Sequence, residues 1–264
     1  MSAPRISIVT ISFNQARFLP AAIESVLGQG YPDLDYSVVD PGSTDGSRAI
    51  IAGYGDRLTA ILEPDGGPAD GLNRGFARAT GQVFGYINAD DVLLPGALAA
   101  VARAFADPAT DVICGNGTML DAEGRATRPL YSSRFSLPAF AHGAMTFVQQ
   151  ANFFRAAAFA RAGGFNAANR TCWDVELLVD LALSGARIVN VPDRIGGFRL
   201  YGDSITGSGR FAEQIARDLV RINAKALGRP ATPADALRRP LHRLWRLATH
   251  PAGALAGVRA RLRA

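Results

Sequence analysis

The chain has 264 residues, 48% hydrophobic and 19% charged, with 28 glycines, 15 prolines and two cysteines. That length suits one large α/β domain with at most a short appendage, and the composition excludes a disordered chain or a disulfide-framed one. Residues 229–264 carry eight arginines against Asp235 alone, so the tail is +7 and the rest of the +5 chain is −2. Charge gathered at one end points to an electrostatic tether and away from nucleic acid.

Met1–Arg5 leads straight into an apolar run with no secretory leader pattern, and two cysteines fit a reduced cytoplasm. Arg5–Ile11 reads as a strand. Phe18, Leu19, Ala22, Ile23, Val26 and Leu27 then form a helical stripe that ends at Gly28 and Gly30. Tyr36–Val39 is a second strand, Ser47–Tyr54 a helix, and Thr59–Leu62 a third strand. Asp70–Thr80 is a helix, Val83–Ile87 a fourth strand, and Pro95–Phe105 a helix with proline in its first turn. Val112–Cys114 is a fifth strand. Such alternation predicts right-handed βαβ units and a mainly parallel sheet. The uncharged run from Phe135 to Phe154 contains Pro138, His142, Gln149, Gln150 and Asn152, a poor membrane span.

Four polar clusters each follow an apolar strand: Ser12–Asn14, Asp40, Glu63–Asp65 and Asp90–Asp91. Each alone could be a turn or a helix cap. Together they mark the carboxyl ends of parallel strands, where open α/β sheets bind ligands. Two adjacent carboxylates suit a hard cation, Mn²⁺ or Mg²⁺, that also binds substrate phosphates. Walker, dinucleotide-glycine and zinc patterns are absent, and the three histidines offer no hydrolase triad.

The motifs resemble those of family 2 glycosyltransferases. Ile8–Asn14, Val38–Ser47, Glu63–Gly67 with Asp70, Asn73 and Gly75, and Asn88–Asp91 are similar to the donor half. Gln150, Phe153–Arg155, Gly163–Phe165, Trp173–Leu177 and Phe198–Arg199 with Ser204 and Thr206 are similar to the acceptor half. The resemblance implies a GT-A fold with a nucleotide-binding half at about 1–115 and an acceptor half at about 116–228; the charge count sets 229–264 apart as a basic tail. It implies inverting transfer from a nucleotide sugar, UDP-linked by preference, to a bacterial glycan or lipid-linked acceptor. Asp40 would accept from the nucleobase, and Thr10, Ser12 and Glu63 would line the nucleoside pocket. Asn14, Asp65, Asp70 and Asn73 would complete the donor side. Asp90 would hold ribose or metal, Asp91 the metal, and Asp174 would be the general base. Tyr201 stands where relatives usually carry histidine, and Pro41 stiffens the turn after Asp40.

Several alternatives remain open on the residues. Asp174 reads equally as a helix N-cap, and Glu176 competes for the base role. Trp173 covers a sugar or fills the core. Arg199 pairs with the diphosphate, or with Asp193 or Asp203. A nucleotidyltransferase and a non-catalytic nucleotide-sugar binder are the rival functions. In the tail, Leu237, Leu241, Leu244, Trp245 and Ala248 oppose Arg239, Arg243 and Arg246. That stripe either meets an anionic membrane, with the protein peripheral to its inner face, or packs on the body.

Overall fold

The computed structural model describes residues 3–202, 204 and 207–249. Asp203, Thr206 and the tail beyond Thr249, with Pro251, Arg259, Arg261 and Arg263, lie outside the described residues.

The first half alternates strand and helix. β1 (Ile6–Ile11), β2 (Leu34–Val39), β3 (Thr59–Ile61) and β4 (Val83–Asn88) pair in parallel, linked by α1 (Leu19–Leu27), α2 (Ser47–Gly53) and α3 (Pro68–Arg78). β1 and β4 are covered on both faces, which is why they read as nearly continuous apolar runs. Ile11 lies beside both Val39 and Asn88, and Val39 lies beside Ile61. This register brings the four strand ends to one rim.

After β4 come β5 (Val92–Leu93), α4 (Ala97–Ala104), β6 (Val112–Leu120), β7 (Ala126–Leu130), α5 (Leu137–Ala141), β8 (Asn152–Arg155) and α6 (Ala156–Ala162). α7 (Trp173–Leu183), β9 (Ile188–Arg199), α8 (Ala212–Leu227) and α9 (Pro233–Thr249) follow. The sheet order is β3-β2-β1-β4-β8-β6-β9-β5, with β7 against β6. Parallel pairing therefore holds for the first four strands, and the second half is mixed. β8 enters antiparallel to both β4 and β6.

The expected strand at Val112–Cys114 is the start of a nine-residue strand, because β9 pairs along its length. α4 begins after Gly96, whose φ of 77° breaks the chain there, so Pro95 precedes the helix. The Phe135–Phe154 run divides into α5, a short 3₁₀ turn and β8. No helix among the described residues is long and apolar enough to cross a membrane.

Apolar layers cover both faces of the sheet. Leu19, Ile23 and Leu98 pack on one; Leu72, Phe76 and Leu178 pack on the other. Phe76 and Phe84 stack with centroids 4.7 Å apart. Gly85 is needed where the Phe153 ring crosses β4, since any Cβ there would clash with it. Both cysteines are free and buried.

Candidate active site

The rim formed by the strand ends is built from residues that brace one another. Asp40 is fully buried: its Oδ1 accepts from the N–H groups of Gly42 (3.1 Å) and Ser43 (2.8 Å), and its Oδ2 from Ser43 Oγ (2.6 Å). Arg48 adds an ion pair at 3.3 Å. Burial pushes the carboxyl up, but these bonds outweigh it and hold it below the usual range. Asp40 thus shapes the turn after β2.

Other donor-side residues also make internal bonds. Thr10 turns inward to the Tyr36 hydroxyl (2.9 Å). Asn14, at φ 51°, accepts from Thr44 N–H and ties two loops together. Glu63 is exposed and paired with Arg78, because β3 is the sheet edge. Asp65 accepts from Gly67 N–H, and Asp70 from Gly66 N–H and Arg74. Asn73 spends both ends of its amide on the backbone of Phe165, joining α3 to the loop before α7. Ser12 differs from these, since its hydroxyl is buried at the end of β1 without a partner.

Asp90 and Asp91 follow β4. β5 pairs with β9, which carries Arg199 to them. The Arg199 N–H donates to Asp91 Oδ1 at 2.9 Å; Gln150 and Asn88 donate to Oδ2 at 2.6 and 3.2 Å. Asp91 is only 1% exposed. Burial, then the neighbouring Asp90, pushes its carboxyl up to about 8. Asp90 is partly exposed, with Oδ2 bonded to the Tyr201 hydroxyl at 3.0 Å. Burial raises its carboxyl too, against the opposing Tyr201 bond.

The Arg199 side chain bonds to the carbonyls of Asp90, Asp121 and Ala122 and lies over the Phe18 ring. It is committed to backbone and pairs with no carboxylate among the described residues. Asp193 pairs with Arg103 instead.

These donors fit a hard cation. They are all oxygen, the two carboxylates repel each other, and the nearby Asn88 Oδ1 is buried without a partner. No group of three or more acidic, histidine or cysteine ligands exists among the described residues. A cation here would therefore take its remaining ligands from phosphate and water.

Beside the aspartates lies a cavity of about 330 Å³, lined by Asn88, Gln149, Gln150, Thr171, Trp173 and Asp174. Met119, Leu130, Phe147, Val148 and Phe198 form its apolar walls; composition gave no signal for these, because they come from four separate segments. Asp174 is the second residue of α7, whose N-cap is Cys172, so it is not the cap. Burial raises its carboxyl to about 6, opposed by N–H groups of the first turn. No side chain among the described residues hydrogen-bonds to it. Trp173 is 7% exposed, and its indole N–H is buried without a partner.

Glu176 is placed quite differently. Arg221 Nη2 donates to it at 2.8 Å, Asn169 at 2.7 Å, and Lys225 and Asn166 at 3.1 Å. Those donors bring its carboxyl down to about 2 despite burial. It clamps α8 to α7 and is absent from the cavity lining, which leaves Asp174 as the available carboxylate. The signal for this clamp in the sequence is the i,i+4 spacing of Arg221 and Lys225.

Residues 7–170 match the family model described as Glycosyl transferase family 2. An uncharacterized glycosyltransferase from Nostoc is 35% identical over 128 residues, which are 44% of this chain and 40% of that one. The match thus spans less than half of that relative's length. The Staphylococcus aureus TarS structure with UDP-GlcNAc superposes at TM-score 0.70, with 16% identity, 93% of this chain and 72% of that chain. The Pyrobaculum calidifontis mannosyltransferase with GDP-Man and Mn²⁺ does so at 0.65, with 22% identity, 100% of this chain and 77% of that one. At such identities the likeness shows the fold, which is of the GT-A type.

Proposed function

The chain belongs to glycosyl transferase family 2, and from that membership we propose that it transfers a sugar, with inversion, from a nucleotide sugar to an acceptor hydroxyl. The observation that carries this is a shared cavity: Asp174 lines it together with Asn88 and Gln150, the partners of Asp91. The candidate base thus shares one space with the residues that hold Asp91.

Asp174 takes the proton of the acceptor hydroxyl. The freed oxygen bonds to the anomeric carbon from the face opposite the diphosphate. The bond from that carbon to the phosphate oxygen breaks, and the nucleoside diphosphate leaves with its electron pair. A carboxyl near 6 is ionised at neutral pH yet basic enough to accept a proton. One displacement inverts the centre and needs no enzymic nucleophile. Mn²⁺ or Mg²⁺, held by Asp90 and Asp91 with Asn88, would neutralise charge on the leaving diphosphate. Ser12, with its unpartnered hydroxyl, would bind on the nucleoside side.

UDP is the preferred nucleotide, a reading supported by the TarS complex. Divalent metal is supported by the Mn²⁺-bound neighbour. The acceptor is a bacterial-type glycan or lipid-linked saccharide. Residues up to about 115 form the nucleotide half, 116–228 the acceptor half, and 229–264 a separate tail. The two free thiols support a cytoplasmic setting.

Incubation with UDP-sugars and Mn²⁺ tests the reaction. Slow, metal-dependent release of nucleoside diphosphate is expected. Binding without release would indicate a non-catalytic binder; pyrophosphate release from a nucleoside triphosphate and a sugar phosphate would indicate a nucleotidyltransferase.

A further inference from the structure

We propose that α9 is an interfacial helix that docks the acceptor half onto an anionic lipid surface. The tail's amphipathic pattern allowed its leucines either to pack on the body or to face outward. Leu237, Leu241 and Leu244 are 79%, 66% and 61% exposed. At 3.6 residues per turn they share a sector about 60° wide with Ala248, which is also exposed.

The helix meets the body through its opposite side. His242 stacks on His142, at the end of α5, with centroids 4.6 Å apart. Asp235 is buried and accepts from Arg229 at 2.8 Å and from Thr232 N–H at 2.7 Å, which fixes the start of the helix. The leucine stripe is therefore turned away from the protein by the contacts that hold α9 in place.

The charge pattern selects the occupant. Arg238 borders the stripe, Arg239 and Arg243 lie on the other side of the helix, and all three are exposed. Asp235, the tail's one acidic residue, is already paired with Arg229. A helix with an apolar face and exposed arginines on its remaining surface is complementary to acyl chains beneath anionic headgroups. The body at −2 supplies no such attraction, so the pull acts through the tail. His142 is only five residues before Phe147, which lines the cavity, so docking would hold the acceptor side close to the bilayer. That consequence rests on transfer to a lipid-linked acceptor, but the lipid contact itself does not.

Co-sedimentation of the full chain with phosphatidylcholine vesicles, with and without phosphatidylglycerol, tests it. Binding should require phosphatidylglycerol and weaken with salt. Leu237→Ser/Leu241→Ser/Leu244→Ser and Arg239→Gln/Arg243→Gln should each lower it about tenfold. Both variants change exposed residues only, so melting temperature and UDP-sugar binding should match wild type. Vesicle binding unchanged by the serine variant would overturn the proposal. So would absence of vesicle binding together with a dimer, seen by analytical ultracentrifugation, that the serine variant dissolves, since the stripe would then cover a second copy of the chain.

Discussion

The Tyr201 hydroxyl donates to Asp90 Oδ2 at 3.0 Å, strapping the segment after β9 to the aspartates after β4. The Tyr201 ring also packs on Phe18 at 4.7 Å. Tyr201→Phe keeps that packing and removes the charge-assisted bond. It should lower stability by about 1 kcal/mol in urea titrations and raise the Asp90 carboxyl further. Unchanged stability would mean that the bond is not maintained in solution.

Glu176 should govern acid stability. Its carboxyl lies at about 2 in the fold against an ordinary 4.5. A lowered carboxylate stabilises the fold above its unfolded value, and that contribution fades as pH falls from about 4.5 toward about 2. Glu176→Gln should cost on the order of 2 kcal/mol at neutral pH, less as pH drops through that window. Chemical denaturation of both proteins across that range checks the convergence.

The donor half was legible in the sequence because its strands are covered on both faces and alternate with helices, so apolar runs and polar strand ends stand apart. The mixed half was not. β8 reads Asn-Phe-Phe-Arg, too short to signal direction, and its place between β4 and β6 comes from pairings far along the chain. The polar positions after the strands were legible, but the internal bonds they make were not. Asp40, Asn73 and Arg199 have side chains that serve the backbone as readily as a ligand, and only the fold shows that their partners are Ser43, Phe165 and Asp121. Asp174 and Glu176 are two residues apart, and their opposite environments depend on α8, which the motif pattern does not include.

Divalent cation and protons should compete at Asp90 and Asp91. Asp91 lies near 8 in the fold against 3.8 unfolded. A raised carboxylate makes the metal-free fold less stable as pH rises between those values. Stabilisation by Mn²⁺ with UDP should therefore grow from pH about 6 to about 8. Thermal melts with Mn²⁺ or with EDTA measure it, and Asp91→Asn should flatten the trend. A shift equal at both pH values would separate metal binding from this pair.

Transfer should follow the ionisation of Asp174. With its carboxyl at about 6, the single-turnover rate should hold at neutral pH and fall tenfold per unit once pH is well below that value. A rate profile flat through this region would assign proton removal to another group.

Asp174→Asn gives the most direct measurement. Donor affinity by calorimetry should change little, because the residue is not among the Asp91 partners. The single-turnover transfer rate should fall about a hundred- to ten-thousand-fold. Stability should hold or rise slightly, since a carboxylate that burial disfavours is replaced by a neutral amide. Near-wild-type transfer by Asp174→Asn, with donor affinity intact, would contradict the assignment of Asp174 as the base and with it the division of labour between Asp174 and the Asp90–Asp91 pair.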